Sequence, residues 1–292
     1  MPITVGDVER FEASSGRLEA IAYRLLGSAS EAEDAVQEAF LHWQAADSAH
    51  IEVPEAWLTT VLTNLYLNQL TSARARRETY VGEWRPEPLL AGDPMLVPAD
   101  TAEQRESLSY AVLALMERLS PTERAVYVLR EAFEYPHREI AEILDLTEAA
   151  SRQIFHRAKK HVARGKARAE IDEAAARVIV EEFLAAAASG RTEQLVKLLT
   201  QDAVATFLRG LFKPGKAKRA LVGGSPDVYT MTANGDPALV AVLDGRVIGV
   251  MCLEVTPQGI AAFRNQVNPD KLQRATRTWT AGGHGEPLLT AF

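Results

Sequence analysis

Ser30-Glu31-Ala32-Glu33-Asp34-Ala35-Val36-Gln37-Glu38-Ala39-Phe40-Leu41-His42-Trp43 is the stretch on which the reading of this chain turns. Ala32, Ala35, Val36, Ala39, Phe40 and Trp43 recur at three- and four-residue spacing, which predicts an amphipathic helix with an apolar stripe turned to a core. The other face carries Glu31, Asp34, Gln37 and Glu38, a surface suited to a basic protein partner. Ser30 followed by Glu33 reads as a capping box, with Gly27 ending the helix before it.

The helical pattern around this stretch runs from residue 8 to 77. After a loop at 46–54, a second long helix starts near Glu55 and is expected to bury Trp57, Val61, Leu62, Leu65 and Leu67 or Leu70. Arg74, Arg76 and Arg77 close it as a basic cluster. Residues 78–103 change character: Pro86, Pro88, Pro94 and Pro98 with Gly82 and Gly92 forbid a continuous helix and mark a linker. Trp84, Leu89, Leu90, Met95 and Leu96 make that linker apolar enough to dock.

Helices resume at residue 108, within a module spanning 104–168. Ser120-Pro121-Thr122-Glu123 combines an N-cap serine, a proline at the first helical position and a glutamate at the third. Pro136 opens a short helix whose inner side is Ile140, Ala141, Ile143 and Leu144. The turn Leu144-Asp145-Leu146-Thr147 leads into a longer helix capped by Thr147, a helix-turn-helix. Along that last helix Ile154, Phe155, Ala158 and Val162 share one face, with Arg152, Gln153, His156, Arg157, Lys160 and Arg164 opposite and Lys159 at the margin. A helix in the major groove needs this division, an anchored back and a donor-rich front. Taken alone it implies only DNA binding, and a solvated basic face is the plainer alternative.

Residues 170–292 shift composition again. An alanine-rich helix at 174–189 ends at Gly190, and a second runs over 192–199. Apolar runs at 228–232, 238–243, 247–255 and 260–267 are split by Asn234-Gly235-Asp236 and Asp244-Gly245, strong hairpin signals. The tail is thus an α+β domain with a curved antiparallel sheet.

The 292 residues carry 32 basic and 39 acidic side chains, a net charge of −7, which argues against a protein that coats nucleic acid non-specifically. The one cysteine, Cys252, can form neither an internal disulfide nor a zinc site, and no metal or cofactor is expected. The start Met1-Pro2-Ile3-Thr4-Val5-Gly6-Asp7 has no signal-peptide pattern and no segment is apolar enough to span a membrane, so a cytoplasmic protein is expected.

Tyr23-Arg24-Leu25-Leu26-Gly27 followed by Ala32 to Phe40 strongly resembles region 2 of the extracytoplasmic-function sigma factors of RNA polymerase. That resemblance implies that Asp34, Gln37 and Glu38 bind the coiled coil of the polymerase β′ subunit. It implies that the segment from Trp57 through Asn64 to Arg74 opens the minus-ten DNA, with the loop at 47–54 holding a flipped base and Trp57 and Asn64 supporting the opened strand; the trailing Arg74, Arg76 and Arg77 add the charge that a single-strand grip requires. Trp57 reads equally well as a core tryptophan. Residues 108–165 look like sigma region 4, in which Arg130 matches a phosphate-contacting arginine and Arg152, Gln153, His156 and Arg157 match the positions that read the minus-thirty-five element; Lys160, later on the same face, would sit against phosphate.

A SnoaL-like (NTF2-like) domain after region 4 marks one subgroup, including the actinobacterial sigma J type. Trp84-Arg85-Pro86-Glu87-Pro88 resembles its linker motif, although arginine stands where leucine is usual. Asn268-Pro269-Asp270-Lys271-Leu272 matches its C-terminal motif. An expected Asp-Gly-Gly-Gly-Lys segment is missing, because Asp202-Ala203-Val204 runs straight into Ala205-Thr206-Phe207-Leu208. An omitted segment is favoured over a deletion, which would remove a strand from the sheet's pairing.

The resemblance implies a non-enzymatic protein, monomeric when free, that works with core polymerase (β′ and β subunits) and promoter DNA. Trp84, Pro86, Glu87 and Pro88 are expected to dock against Asn268, Pro269, Asp270, Lys271 and Leu272, so that the last domain regulates in cis. Two other classes remain: a helix-turn-helix activator with a small-molecule-sensing domain, and a cyclase-like enzyme using Asp202, Asp227, Asp244 or His284. No carboxylate-histidine pair among these has convincing spacing, and an unknown small ligand is the more plausible role for the fold.

Overall fold

Gly27, at φ +68°, reverses the chain between helix α1 (Val5–Leu26) and helix α2 (Ala29–Ala45). Its N–H still donates to Tyr23 O at 2.7 Å, which leaves Ser28 as the first extended residue. Ser28 therefore caps α2, its Oγ accepting from Glu31 N–H at 3.3 Å; the cap expected at Ser30 is displaced by two residues. Helix α3 (Pro54–Ala75) completes the first bundle. Trp43 anchors it, its indole N–H donating to Asp7 O at 3.0 Å and its ring lying 5.7 Å from that of Trp57.

The structure, a computed structural model, describes residues 5–47, 50–75, 85–96, 107–165, 171, 173–189, 191–200, 203, 226–282 and 285–287. The chain divides into two units, one of residues 1–87, 94–108 and 112–165, the other of residues 88–93, 109–111 and 166–292. This division cuts across the linear one: most of the described linker after residue 87, and the three residues 109–111, go with the C-terminal domain.

Later in the first unit come α4 (Tyr110–Met116), of which 112 onward belongs here, and α5 (Pro121–Tyr127). The capping box at Ser120 and Glu123 forms as the spacing predicts, with Ser120 N–H donating to Glu123 Oε2 at 2.9 Å. That bond holds the Glu123 carboxyl below its usual range. A wide π-helical turn, Val128–Ala132, separates α5 from α6 (His137–Leu144) and α7 (Glu148–Gly165). The turn between the last two uses Asp145 in the left-handed region, φ 52°, and Thr147 Oγ1 accepts from Ala150 N–H at 3.1 Å. The two sigma-like modules meet within this unit: the Thr59 and Tyr135 hydroxyls lie 3.0 Å apart, and Arg124 Nε donates to Arg24 O at 3.2 Å.

The second unit contains α8 (Glu173–Ala188), α9 (Thr192–Lys197) and a four-stranded antiparallel meander, β1 (Asp227–Ala233), β2 (Asp236–Leu243), β3 (Arg246–Thr256) and β4 (Gly259–Gln266). Asn234-Gly235 and Asp244-Gly245 adopt positive φ at both positions, the type I′ geometry that these pairs favour. Irregularities at Ala241/Val242 and Glu254/Val255 bend the sheet. Period-two alternation gives the sheet two apolar faces. Val180 and Phe183 of α8 pack with Leu239, Leu253 and Ile260 on one. Ala238, Val240 and Cys252 on the other pack with Leu90, Tyr110, Leu272 and Trp279 of α10 (Gln273–Ala281). The junction after Val204 lies outside the described residues, as do Asp202 and His284.

Candidate polymerase and nucleic-acid surfaces

Helix α2 buries Ala32, Ala35, Val36, Ala39 and Trp43 and leaves Asp34, Gln37 and Glu38 exposed, as the spacing predicts. Leu41 joins them: it lies three and four residues beyond Glu38 and Gln37 and is 62% exposed. The periodicity already set Leu41 off the apolar stripe, but a single apolar residue on a polar face carries little weight in a sequence.

On α3 the buried face is Leu58, Thr59, Leu62, Thr63 and Tyr66. Trp57, Val61 and Leu65 are half-buried, so the face lies rotated from the one expected. Trp57 thus shares both readings, packed at a tilt against Trp43 yet partly open, and Asn64 is exposed. Arg74 falls on the last turn of the helix, while Arg76 and Arg77 lie outside the described residues. In the preceding loop His50 Nδ1 lies 3.0 Å from Asp47 Oδ2 at an exposed position.

Helix α7 is anchored by Ala158 and Val162, with Phe155 stacked 6.3 Å from Tyr127 and 5.6 Å from the His137 ring. His137 Nδ1 lies 3.0 Å from Ser151 Oγ, and burial, with Arg130 and Arg152 nearby, lowers its pKa. This contact tethers α6 to α7. Arg152, Gln153, His156, Arg157, Lys160 and Arg164 are all exposed on the outer side. Arg152 pairs with Glu148, and Lys159 is held by Glu131 at 2.8 Å. Arg130 sits before the helix-turn-helix, half-buried, donating from Nη1 to Glu134 O at 3.3 Å and Tyr135 O at 3.1 Å.

The described part of the linker takes partners that the sequence motifs do not announce. In the first unit the Glu87 carboxylate bonds to the N-terminus of α2 rather than to residues 268–272: Oε1 accepts from Ser28 Oγ at 2.8 Å and Oε2 from Ala29 N–H at 2.9 Å. A buried carboxylate needs several donors at once, and a helix N-terminus supplies them. In the second unit Leu90 bridges Ala233, and Leu89 exchanges bonds with Asn234, its N–H reaching Oδ1 at 3.0 Å and its carbonyl accepting from Asn234 N–H at 2.8 Å. Asp93 pairs with Arg274 at 2.7 Å. Pro86 and Pro88 are buried, and Trp84 lies outside the described residues. The end motif forms a 3-10 turn, Pro269–Leu272, in which Asn268 Oδ1 accepts from Asp270 N–H at 3.1 Å. Pro269 and Asp270 are exposed, Lys271 is half-buried, and Leu272 enters the core that also holds Leu90. Linker and end motif thus share a core, through Leu90 and Leu272 rather than through Glu87.

Among the enzyme candidates, Asp227 lies half-buried on β1 and Asp244 is spent on its turn. Asp236 reads in the sequence only as part of the Asn234-Gly235-Asp236 turn. Its carboxylate accepts from Tyr110 N–H at 3.0 Å, and burial pushes its pKa up to about 7, Glu254 adding to the rise while the Tyr110 and Ala111 amides and Arg264 oppose it. A cavity of about 390 Å³ opens between α8 and β1–β2, lined by Arg177, Val180, Glu181, Thr230, Thr232 and Pro237 among others. Among the described residues no group of three His, Cys, Asp or Glu gathers to hold a metal, and no helix is long and apolar enough to cross a membrane.

The model of sigma-70 region 2 matches residues 10–76, and that of sigma-70 region 4 matches residues 109–162. The crystal structure of the Mycobacterium tuberculosis extracytoplasmic function sigma factor SigJ superposes with a TM-score of 0.68 at 32% identity, covering 90% of this chain and 97% of that one. The chain belongs to the extracytoplasmic-function sigma factors of RNA polymerase. In sequence it is 41% identical over 201 residues to the ECF RNA polymerase sigma factor SigJ of M. tuberculosis H37Rv, a match that spans 68% of this chain and 64% of that relative's length. A probable ECF RNA polymerase sigma factor, SigI of the same species, is 29% identical over 266 residues, 86% of this chain and 90% of that one.

Proposed function

We propose that this chain binds core RNA polymerase, reads the minus-thirty-five and minus-ten promoter elements and initiates transcription, with its C-terminal domain modulating that activity in cis. The observation that carries this reading is one unit presenting two exposed surfaces of opposite charge, an acidic one on α2 and a donor-rich basic one on α7. Asp34, Gln37 and Glu38 suit a basic coiled coil such as that of the β′ subunit. Arg152, Gln153, His156 and Arg157 occupy the N-terminal half of α7, where base edges are reached, with Lys160 and Arg164 set for phosphate. On α3, Trp57 and Asn64 supply the aromatic and the amide that grip an unstacked strand.

Run-off transcription tests the reading. A transcript from a cognate promoter is expected only when the chain and core polymerase are both present. DNA binding with no transcript would favour an ordinary helix-turn-helix activator. The cavity beside α8 supports a small ligand as the modulating signal, in keeping with the size of small-molecule sites.

A further inference from the structure

Glu87 is only 5% exposed although it belongs to the linker. A carboxylate so placed is costly unless its lone pairs are matched. Here Oε1 accepts from the Ser28 and Ser30 hydroxyls at 2.8 and 3.2 Å, and Oε2 from Ala29 N–H at 2.9 Å. The Glu87 N–H donates to Gly27 O at 2.9 Å, and its carbonyl accepts from the Tyr23 hydroxyl at 2.6 Å. All five partners lie at the α1–α2 junction, and the negative charge complements the dipole of α2.

One residue further the chain belongs to the second unit. There the exchange between Leu89 and Asn234 holds it, followed by Ala91 N–H donating to Thr232 O at 3.0 Å and by the Asp93–Arg274 pair. A residue spans at most about 3.6 Å, so the two-residue step from Glu87 to Leu89 has little slack.

We propose that Glu87 is a positioning residue for the polymerase-binding helix α2, and that the C-terminal domain keeps it in place by gripping residues 88–93. This rests on the sigma-factor reading of α2. With the grip intact, Glu87 seals the first turn of α2 and fixes the orientation of Asp34, Gln37 and Glu38. When residues 88–93 leave the β1–β2 turn, Glu87 loses its tether, the first turn frays and core polymerase binds more weakly.

A double-mutant cycle on the full chain tests this, reading the dissociation constant for fluorescently labelled core polymerase. Glu87→Ala and Asn234→Ala are each expected to weaken binding about fivefold, a modest coupling between sites. The double variant is expected to be no weaker than Glu87→Ala alone, because an absent cap has nothing to lose from an absent tether. Glu87→Gln keeps an acceptor for Ala29 N–H and is expected to stay within about twofold of the parent. Additive losses in the double variant, or an Asn234→Ala variant that binds normally, overturn the proposal. Should Glu87→Ala fail to fold, Ser28→Ala and Ser30→Ala together replace it in the same cycle, with the same two outcomes deciding. A parent chain that does not bind core polymerase at all would refute the sigma-factor reading instead.

Discussion

Arg274 and Asp93, 181 residues apart in sequence, form the contact in the second unit whose loss is most readily measured. Arg274 Nε donates to Asp93 Oδ2 at 2.7 Å and a terminal nitrogen donates to Oδ1 at 2.9 Å, while Thr278 Oγ1 donates to Oδ2 at 3.3 Å. The Asp93 side chain is 1% exposed and that of Arg274 16%. Arg274→Ala removes two charge-assisted bonds and leaves a buried carboxylate without this cation, a change that costs about 3–5 kcal/mol when both partners are fully buried. Because water reaches part of the guanidinium, the expected loss lies at the lower end, about 3 kcal/mol. Urea unfolding followed by far-UV circular dichroism, with hydrogen exchange to locate the loss in β1–β3, reads it as a fall of about 1–2 M in the midpoint. Adding Asp93→Asn removes the buried charge and is expected to restore part of the loss. A cost under about 1 kcal/mol, or no recovery in the double variant, refutes the view that this pair bonds the linker into the C-terminal domain.

Leu41→Ala is expected to weaken core-polymerase binding about tenfold with no change in melting temperature, since the side chain touches no core; unchanged affinity removes it from the interface. The Asp236 pKa is raised, so the folded chain holds a proton that the unfolded chain releases. Stability should therefore fall as pH rises from about 4 to 7, by at most about 1.4 kcal/mol per unit, and level off above; Asp236→Asn should flatten that profile, and a parallel profile would refute the assignment. Gly259 sits at φ +122° where a Cβ would press on Leu198 O, so Gly259→Ala is expected to cost about 2–4 kcal/mol of stability, and a near-neutral result would contradict the β4 pairing with residues 198–200.

Much of the architecture was legible because it rests on local patterns. The stripe from Ala32 to Trp43, the capping box at Ser120, the Thr147 cap and the two turns at Asn234-Gly235 and Asp244-Gly245 each involve residues within four positions of one another. Long-range pairings left no such trace. Asn234 reads as a turn residue, yet its side chain also receives Leu89; Asp93 and Arg274 look like ordinary surface charges. Ser30 reads as the helix cap until the reversal at Gly27 hands that role to Ser28. The linker's hydrophobicity correctly announces docking, but composition cannot say where, and Glu87 went to a helix N-terminus instead of the end motif. The exposed faces of α2 and α7 are legible as chemistry, because exposed faces follow from helical periodicity once the buried stripe is known.

Run-off transcription with core polymerase and a cognate promoter, comparing the parent chain with Glu38→Lys and with Arg152→Ala/Gln153→Ala, tests the central claim most directly. The parent should yield a promoter-specific transcript. Glu38→Lys should lose it by failing to join the polymerase, and Arg152→Ala/Gln153→Ala should still join the polymerase but lose promoter selection. Full transcription by both variants, or none by the parent chain with core polymerase, would contradict it.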